Sequence, residues 1–78
     1  PKGASKDNAV RDLEKAVELS PQSIDARMEL ARAYVELERE ADARRELERA
    51  LGIPASRPRD PGLQVEAREL LGKLAKRG

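Results

Sequence analysis

Two stretches of the sequence share one spacing of small and apolar residues, 34 positions apart. The residues that recur are Ala9, Leu13 and Ala16 in the first stretch and Ala43, Leu47 and Ala50 in the second. A fixed period of this length is typical of stacked helical hairpins, since each hairpin buries its apolar face only against a neighbour. The spacing therefore predicts an all-α fold of antiparallel hairpins, and it indicates a protein that works by presenting a surface.

The composition favours helices and excludes several kinds of chemistry. Charged residues make up 40% of the 78-residue chain, but 16 Lys and Arg nearly balance 15 Asp and Glu. This balance argues against a general polyanion binder. Because the chain has no Cys and no His, it lacks thiolates, imidazole bases and the usual zinc ligands. We therefore expect no catalysis, no cofactor and no metal.

The chain has no apolar run near the roughly 18 residues that cross a bilayer. We expect a soluble protein that does not insert into a membrane, and the sequence leaves the choice between cytoplasm and periplasm open.

Capping and breaking residues divide the chain into five parts. Ser5 and Ser23 can cap helices, and Pro21 ends the helix before it. Gly52 is predicted to end a third helix, and Asp60 to cap a fourth with Pro61 at its first position. The predicted parts are a flexible tail (1–4), a first helix (5–20), a helical hairpin (23–52), a Pro-containing linker (53–60) and a C-terminal capping helix (61–77).

The break inside the hairpin depends on the repeat alone. No Gly or Pro occurs between positions 37 and 40, so the periodicity of apolar residues fits one long helix as well as two short ones. If the second set of small residues copies the first, it lies on a separate helix. The repeat therefore predicts that the chain reverses midway through residues 23–52.

These features together resemble the tetratricopeptide repeat family. Pro21 follows Ala16 by five residues, and Leu30, Ala31 and Tyr34 occupy the intervening helix at the family's spacing. The resemblance covers most of residues 9–55. It implies one degenerate full repeat flanked by half repeats, with residues 5–20 as the second helix of an incomplete repeat, and about four helices stacked as a short right-handed solenoid. It also implies a protein-interaction module of a bacterial-type repeat protein.

In that family the first helix of each hairpin lines a concave groove that binds a peptide. The resemblance therefore implies a peptide-binding face on the helix that follows Ser23. Its candidate contacts are Asp25, Met28, Arg32, Val35 and Glu36. Met28 and Val35 offer apolar contact, and Arg32 can hold a carboxylate through two hydrogen bonds. The alternative is that these residues form an ordinary solvated helix face.

Three other interpretations stay open. The helices can be the structural end cap of a longer array with no binding role, or the chain can self-associate through an uncovered face of its first helix, made of Val10, Leu13 and Val17. A nucleic-acid site would use Arg57, Arg59, Lys73, Lys76 and Arg77, but it would lack stacking aromatics, so we expect no nucleic-acid partner. Tyr34, the one aromatic residue, is expected in the core.

Overall fold

The computed structural model describes the backbone of residues 2–77 and the side chains of residues 7–77. Within these residues the chain forms four α-helices and no strand: α1 (Lys2–Leu19), α2 (Ile24–Glu36), α3 (Glu40–Gly52) and α4 (Asp60–Arg77). Each helix packs against the next one along the chain, and α2 also packs against α4. The all-α arrangement of four helices in antiparallel hairpins is therefore confirmed.

Helix α1 is longer than predicted. It begins at Lys2, so residues 2–4 of the expected tail are helical, and Ser5 lies inside the helix instead of capping it. Lys2 and Ala4 favour helix, and Gly3 weakens a helix without ending it. Pro1 lies outside the described residues. By contrast, the Ser23 cap is confirmed, because the Ser23 hydroxyl accepts a hydrogen bond of 3.1 Å from the Ala26 N–H.

Helix α2 lies at the centre of the core because it contacts each of the other three helices. Ile24, Met28 and Ala31 of α2 are 0–1% exposed. The other buried apolar residues come from all four helices and the loop before α4, and they are Val10, Leu30, Tyr34, Ala43, Leu47, Ala50, Ile53, Leu63, Ala67 and Leu74. Ala31, Ala43, Ala50 and Ala67 are completely buried, and their small side chains allow the helix backbones to approach closely.

The two copies of the repeat differ in burial. Ala43, Leu47 and Ala50 are completely buried, because α3 packs against both α2 and α4. Their counterparts on α1 are less covered: Ala9 is exposed and Leu13 is half-buried, since α1 packs against α2 alone within the described residues.

The face proposed for self-association is already partly used inside the chain. Val10 is only 3% exposed and belongs to the core, and Leu13 and Val17 pack partly against that core. Helix α2 therefore covers much of the α1 face that was expected to be free for self-association.

The predicted reversal lies at residues 37–39, between α2 and α3. Glu38 takes a left-handed backbone conformation with φ of 59°. Its N–H donates to the Val35 carbonyl at 3.0 Å, and the Arg39 N–H donates to the Tyr34 carbonyl at 2.8 Å. This pair of bonds is a Schellman motif, which satisfies carbonyls at the end of α2 and turns the chain sharply.

Glycine normally occupies the left-handed position of this motif, because a Cβ atom there is strained. Glu38→Gly removes this strain, although the greater conformational freedom of glycine in the unfolded chain offsets part of the gain in stability. We expect the free energy of unfolding to rise by roughly 0.5–1 kcal/mol. Urea denaturation measures this change. As a matched control, Glu48→Gly on the exposed side of α3 should destabilise by about 1 kcal/mol. If both glycine variants lose stability equally, the turn is not strained.

Helix α3 ends where the sequence predicts, but Gly52 does not cap it in the left-handed conformation. Gly52 is the last residue of α3, and no glycine among the described residues has a positive φ. The carbonyls there are bound from α4 instead: the Gln64 side-chain amide donates to the Ile53 carbonyl at 2.8 Å and to the Ala50 carbonyl at 3.4 Å. The third helix therefore ends through a contact made in the tertiary structure.

Asp60 is the first residue of α4, not a cap outside it. One oxygen of its buried carboxylate accepts hydrogen bonds of 2.9 Å from the backbone N–H groups of Ser56 and Arg57. These two bonds hold the pKa of the Asp60 carboxyl below its ordinary value. Asp60 therefore fastens the loop of residues 53–59 to the helix that follows it.

A buried ion pair joins α2 to α3. Arg27 of α2 is only 7% exposed. Its guanidinium donates to Glu46 at 2.7 Å and to the Pro21 carbonyl at 3.0 Å. The pair therefore links the centre of the core to the turn between α1 and α2.

Removing one partner of such a pair leaves the other charged and buried, which costs about 3–5 kcal/mol. We expect Arg27→Ala to cost at least about 3 kcal/mol of unfolding free energy, because the nearest remaining cation, Arg45, lies 3.8 Å from Glu46 and is half exposed. The double change Arg27→Met with Glu46→Leu should recover most of the loss, because two apolar side chains of similar volume can replace the pair. Chemical denaturation tests both variants. A double variant as unstable as Arg27→Ala would contradict this account.

Candidate functional site

The sequence-predicted contact residues lie on α2, and Asp25, Arg32 and Val35 reach the surface where α2 and α4 lie side by side. We call this surface the α2–α4 face. Asp25 of α2 lies 3.6 Å from Arg59, which immediately precedes α4, and Arg32 contacts Glu66 further along both helices. The order of these pairs shows that α2 and α4 run in the same direction. Val35 is half-buried near the carboxyl ends of the two helices, and Glu36 is exposed.

Met28 does not belong to this surface. It is 0% exposed and packs in the core, so its predicted role as a surface contact is wrong. The prediction assumed that α2 buries one stripe and exposes the opposite side. Because α2 packs against three helices, its buried arc is wider than one stripe and includes Met28.

Arg32 already holds a carboxylate from within the chain. Its guanidinium makes two parallel hydrogen bonds with Glu66, Nε to Oε2 at 2.8 Å and Nη2 to Oε1 at 2.7 Å. Hydrogen bonding and charge from Arg32 hold the pKa of the Glu66 carboxyl below its ordinary value. Arg32 therefore fixes α2 against α4, in the two-pronged geometry that the sequence analysis assigned to a partner's carboxylate.

The lowered pKa of Glu66 has a defined consequence for stability. A carboxyl whose pKa is lower in the folded chain than the ordinary value of 4.5 stabilises the fold above that value, and this contribution is lost as the pH falls through the folded-state pKa. Both side chains are about 40% exposed, so solvent weakens the pair. We expect Glu66→Gln to cost less than about 1 kcal/mol at pH 7 and nothing measurable at pH 3.

Thermal or urea denaturation at both pH values tests this expectation. Glu69→Gln, on the exposed side of the same helix, is the control and should change the free energy of unfolding little at either pH. A difference between wild type and Glu66→Gln that persists unchanged at pH 3 would contradict it.

A cleft of about 400 Å³ lies at the carboxyl ends of α2 and α4. We call it the carboxyl-end cleft, and it is lined by Val35, Leu70, Lys73, Leu74, Lys76 and Arg77. Three of these side chains are aliphatic and three are cationic. The cleft therefore combines an apolar floor with a positively charged rim, and Val35 is the sequence-predicted contact residue that lines it.

Sequence reasoning missed the contribution of α4 to this cleft. From the sequence, α4 is expected only as a C-terminal capping helix, and basic residues at its end suit the negative end of a helix dipole. A signal was available: Leu70 and Leu74 are four residues apart, as are Lys73 and Arg77, so each pair lies on one side of the helix. Nothing in the sequence alone indicated that α2 would supply Val35 beside them.

A second cleft, of about 430 Å³, lies around Tyr34 between α1, α2 and α3. The Tyr34 hydroxyl donates a hydrogen bond to Glu14. Burial, and then this bond to a carboxylate, raises the pKa of Tyr34 to about 12. The Arg39 guanidinium lies 4.6 Å from the centre of the Tyr34 ring. Tyr34 is therefore a core residue as predicted, and it keeps its proton at neutral pH.

Charges of both signs line this second cleft. They are Glu14, Glu18 and Glu46 together with Arg27, Arg45 and Arg49. Several of these groups are bound to one another, so the cleft offers a partner less free charge than the carboxyl-end cleft does.

Two features are absent from the described residues. No cluster of three or more acidic side chains there is placed to hold a metal ion. None of the helices has the length and apolar character that crossing a membrane requires.

A family model described as RMD1-3, Regulator of microtubule dynamics protein 1-3, matches residues 1–75. The match covers nearly all of the chain, and the chain belongs to this family. No match was found among curated proteins or among solved structures. The assignment to the tetratricopeptide repeat family is therefore wrong, and the expectation of a bacterial-type protein has no support. The spacing of small residues correctly indicated stacked hairpins, but that packing geometry is not specific to one family.

Proposed function

We propose that this member of the regulator of microtubule dynamics family is a protein-binding module that binds tubulin, as dimer or polymer, through the α2–α4 face. The family name supports a partner in the microtubule system. The observation that carries the proposal is the carboxyl-end cleft, where apolar and cationic side chains from two helices meet at one open surface. Binding sites commonly combine a concave apolar surface with a few polar groups that orient the ligand.

The ion pairs of the face support this role by fixing its shape before a partner arrives. The bidentate bonds between Arg32 and Glu66, together with the contact between Asp25 and Arg59, hold α2 beside α4. A surface that is already ordered loses less conformational entropy on binding, which favours affinity. The charges of these pairs are already neutralised within the chain. We therefore assign most of the binding free energy to the carboxyl-end cleft and a positioning role to Arg32.

We propose further that the module acts without catalysis. A general acid or base needs a pKa near the working pH, and the raised pKa of Tyr34, at about 12, is far from neutral. The lowered pKa values of Asp60 and Glu66 keep these carboxyls ionised and bound to groups of the same chain. These groups contribute to the fold, and the function we propose requires none of them to exchange a proton.

Binding to labelled tubulin dimers and co-sedimentation with polymerised tubulin test the proposal. We expect the wild-type chain to bind at least one of these forms, and Val35→Glu to weaken binding roughly tenfold or more, which corresponds to about 1.4 kcal/mol. The substitution places an unpaired charge on the floor of the cleft. Val65→Glu is the matched control, because Val65 is 50% exposed on α4 and does not line the cleft.

Circular dichroism and urea denaturation establish that Val35→Glu is folded, since Val35 is half-buried. If the wild-type chain binds neither tubulin dimers nor microtubules, the proposed partner is wrong. If folded Val35→Glu binds as well as wild type, the face is wrong. Equal loss of binding in both valine variants would also reject the cleft as the site.

A further inference from the structure

The carboxyl-end cleft separates apolar and charged groups in a way that defines what fits it. Leu74 is 2% exposed, and Val35 and Leu70 are half-buried beside it. The cationic side chains of Lys73, Lys76 and Arg77 are exposed and line the same cleft. A ligand that enters therefore meets aliphatic side chains below and positive charges around the opening.

The rim retains free positive charge. Arg77 contacts Glu40 at 3.1 Å, which neutralises one cation. In the part of the chain that the structure describes, no acidic side chain lies within 4 Å of Lys73 or Lys76. Arg44, outside the lining, donates to the Leu74 carbonyl at 3.0 Å and satisfies one carbonyl at the end of α4. Two lysines thus stand beside an apolar floor with no described internal partner.

We infer that the carboxyl-end cleft binds an acidic peptide segment of a partner protein, with one apolar side chain seated against Val35, Leu70 and Leu74 and flanking carboxylates facing Lys73 and Lys76. This inference rests on the proposed function and specifies the chemistry of the partner at the same face. An apolar anchor supplies most of the affinity in such a contact, and the charges supply orientation and selectivity.

The geometry favours a peptide over other polyanions. Proteins bind single-stranded nucleic acid largely through aromatic side chains that stack on bases, and the floor of the cleft is aliphatic. A bilayer surface is broad and cannot enter a concave site, whereas a single side chain can. The chain as a whole carries a net charge of only +1, so the positive charge at this cleft is a local feature and not part of a basic surface.

Fluorescence anisotropy with synthetic peptides tests the inference on the intact chain. The first probe is a labelled peptide of about twelve residues, rich in Glu and Asp, with one central Leu. The second replaces that Leu with Ser, and the third replaces every acidic residue with Lys. We expect the first peptide to bind at least about tenfold more tightly than the other two, and its affinity to fall as salt increases.

Charge reversal on the protein locates the site. Lys73→Glu with Lys76→Glu should weaken binding of the first peptide at least about tenfold. Arg11→Glu with Arg68→Glu makes the same change in net charge at two exposed residues that do not line the cleft, and it should leave affinity within about twofold of wild type. All four positions are exposed, so both double variants should fold, as circular dichroism will check.

Several outcomes would overturn the inference. Equal binding of the Leu and Ser peptides would show that no apolar side chain anchors the peptide. Equal loss of peptide affinity in the two double variants would show that the carboxyl-end cleft is not the binding site. Binding to vesicles that contain anionic lipid, without binding to the first peptide, identifies a membrane ligand instead. A sedimentation experiment that shows self-association blocked by the lysine reversals identifies a second copy of the chain as the occupant.

The same variants separate this inference from the proposed function. If tubulin binds and the lysine reversals leave tubulin affinity unchanged, the acidic segment is rejected while the tubulin proposal stands. If the first peptide binds at the cleft and tubulin does not bind, the chemistry of the cleft stands and tubulin is the wrong partner.

Discussion

The reversal of the chain at residues 37–39 determines the packing of everything that follows it. A continuous helix from the start of α2 to the end of α3 would be roughly 44 Å long and would carry the apolar residues of α3 away from α2. The left-handed conformation of Glu38 and the two hydrogen bonds around it turn α3 back instead. This turn lets Glu46 reach Arg27 and brings α4 alongside α2. The α2–α4 face therefore depends on the turn that the chain makes at Glu38.

The sequence predicts this fold well where one kind of signal is sufficient. The recurrence of small residues at 34 positions predicts the hairpin, and the hydroxyl of Ser23 predicts where α2 begins. Arg32 and Glu66, which bind each other across α2 and α4, are also 34 residues apart in the sequence. The family assignment fails because alanine and leucine at this spacing report close packing of helices, which unrelated families can share.

Prediction fails where tertiary contacts override a local preference. Gly52 has the residue type of a helix cap, yet Glu38 takes the left-handed conformation, because the chain reverses between α2 and α3. At the end of α3 no such conformation is needed, because the Gln64 side chain binds the Ile53 carbonyl. Met28 has the spacing of an outer-face residue, yet α2 buries it because the helix packs against three neighbours. Both errors come from treating each helix as if it had one neighbour.

The chemistry of the α2–α4 face changes along its length, and this change determines where a partner can gain energy. Toward the amino ends, Asp25, Arg32, Arg59 and Glu66 satisfy one another, so a partner that covers them must remove water from charges that are already paired. Such burial costs about as much as it returns. Toward the carboxyl ends, the pairs give way to aliphatic side chains and to lysines with no described internal partner. Covering this part removes apolar surface from water and adds new charge contacts, so the favourable free energy of binding concentrates where α2 and α4 end.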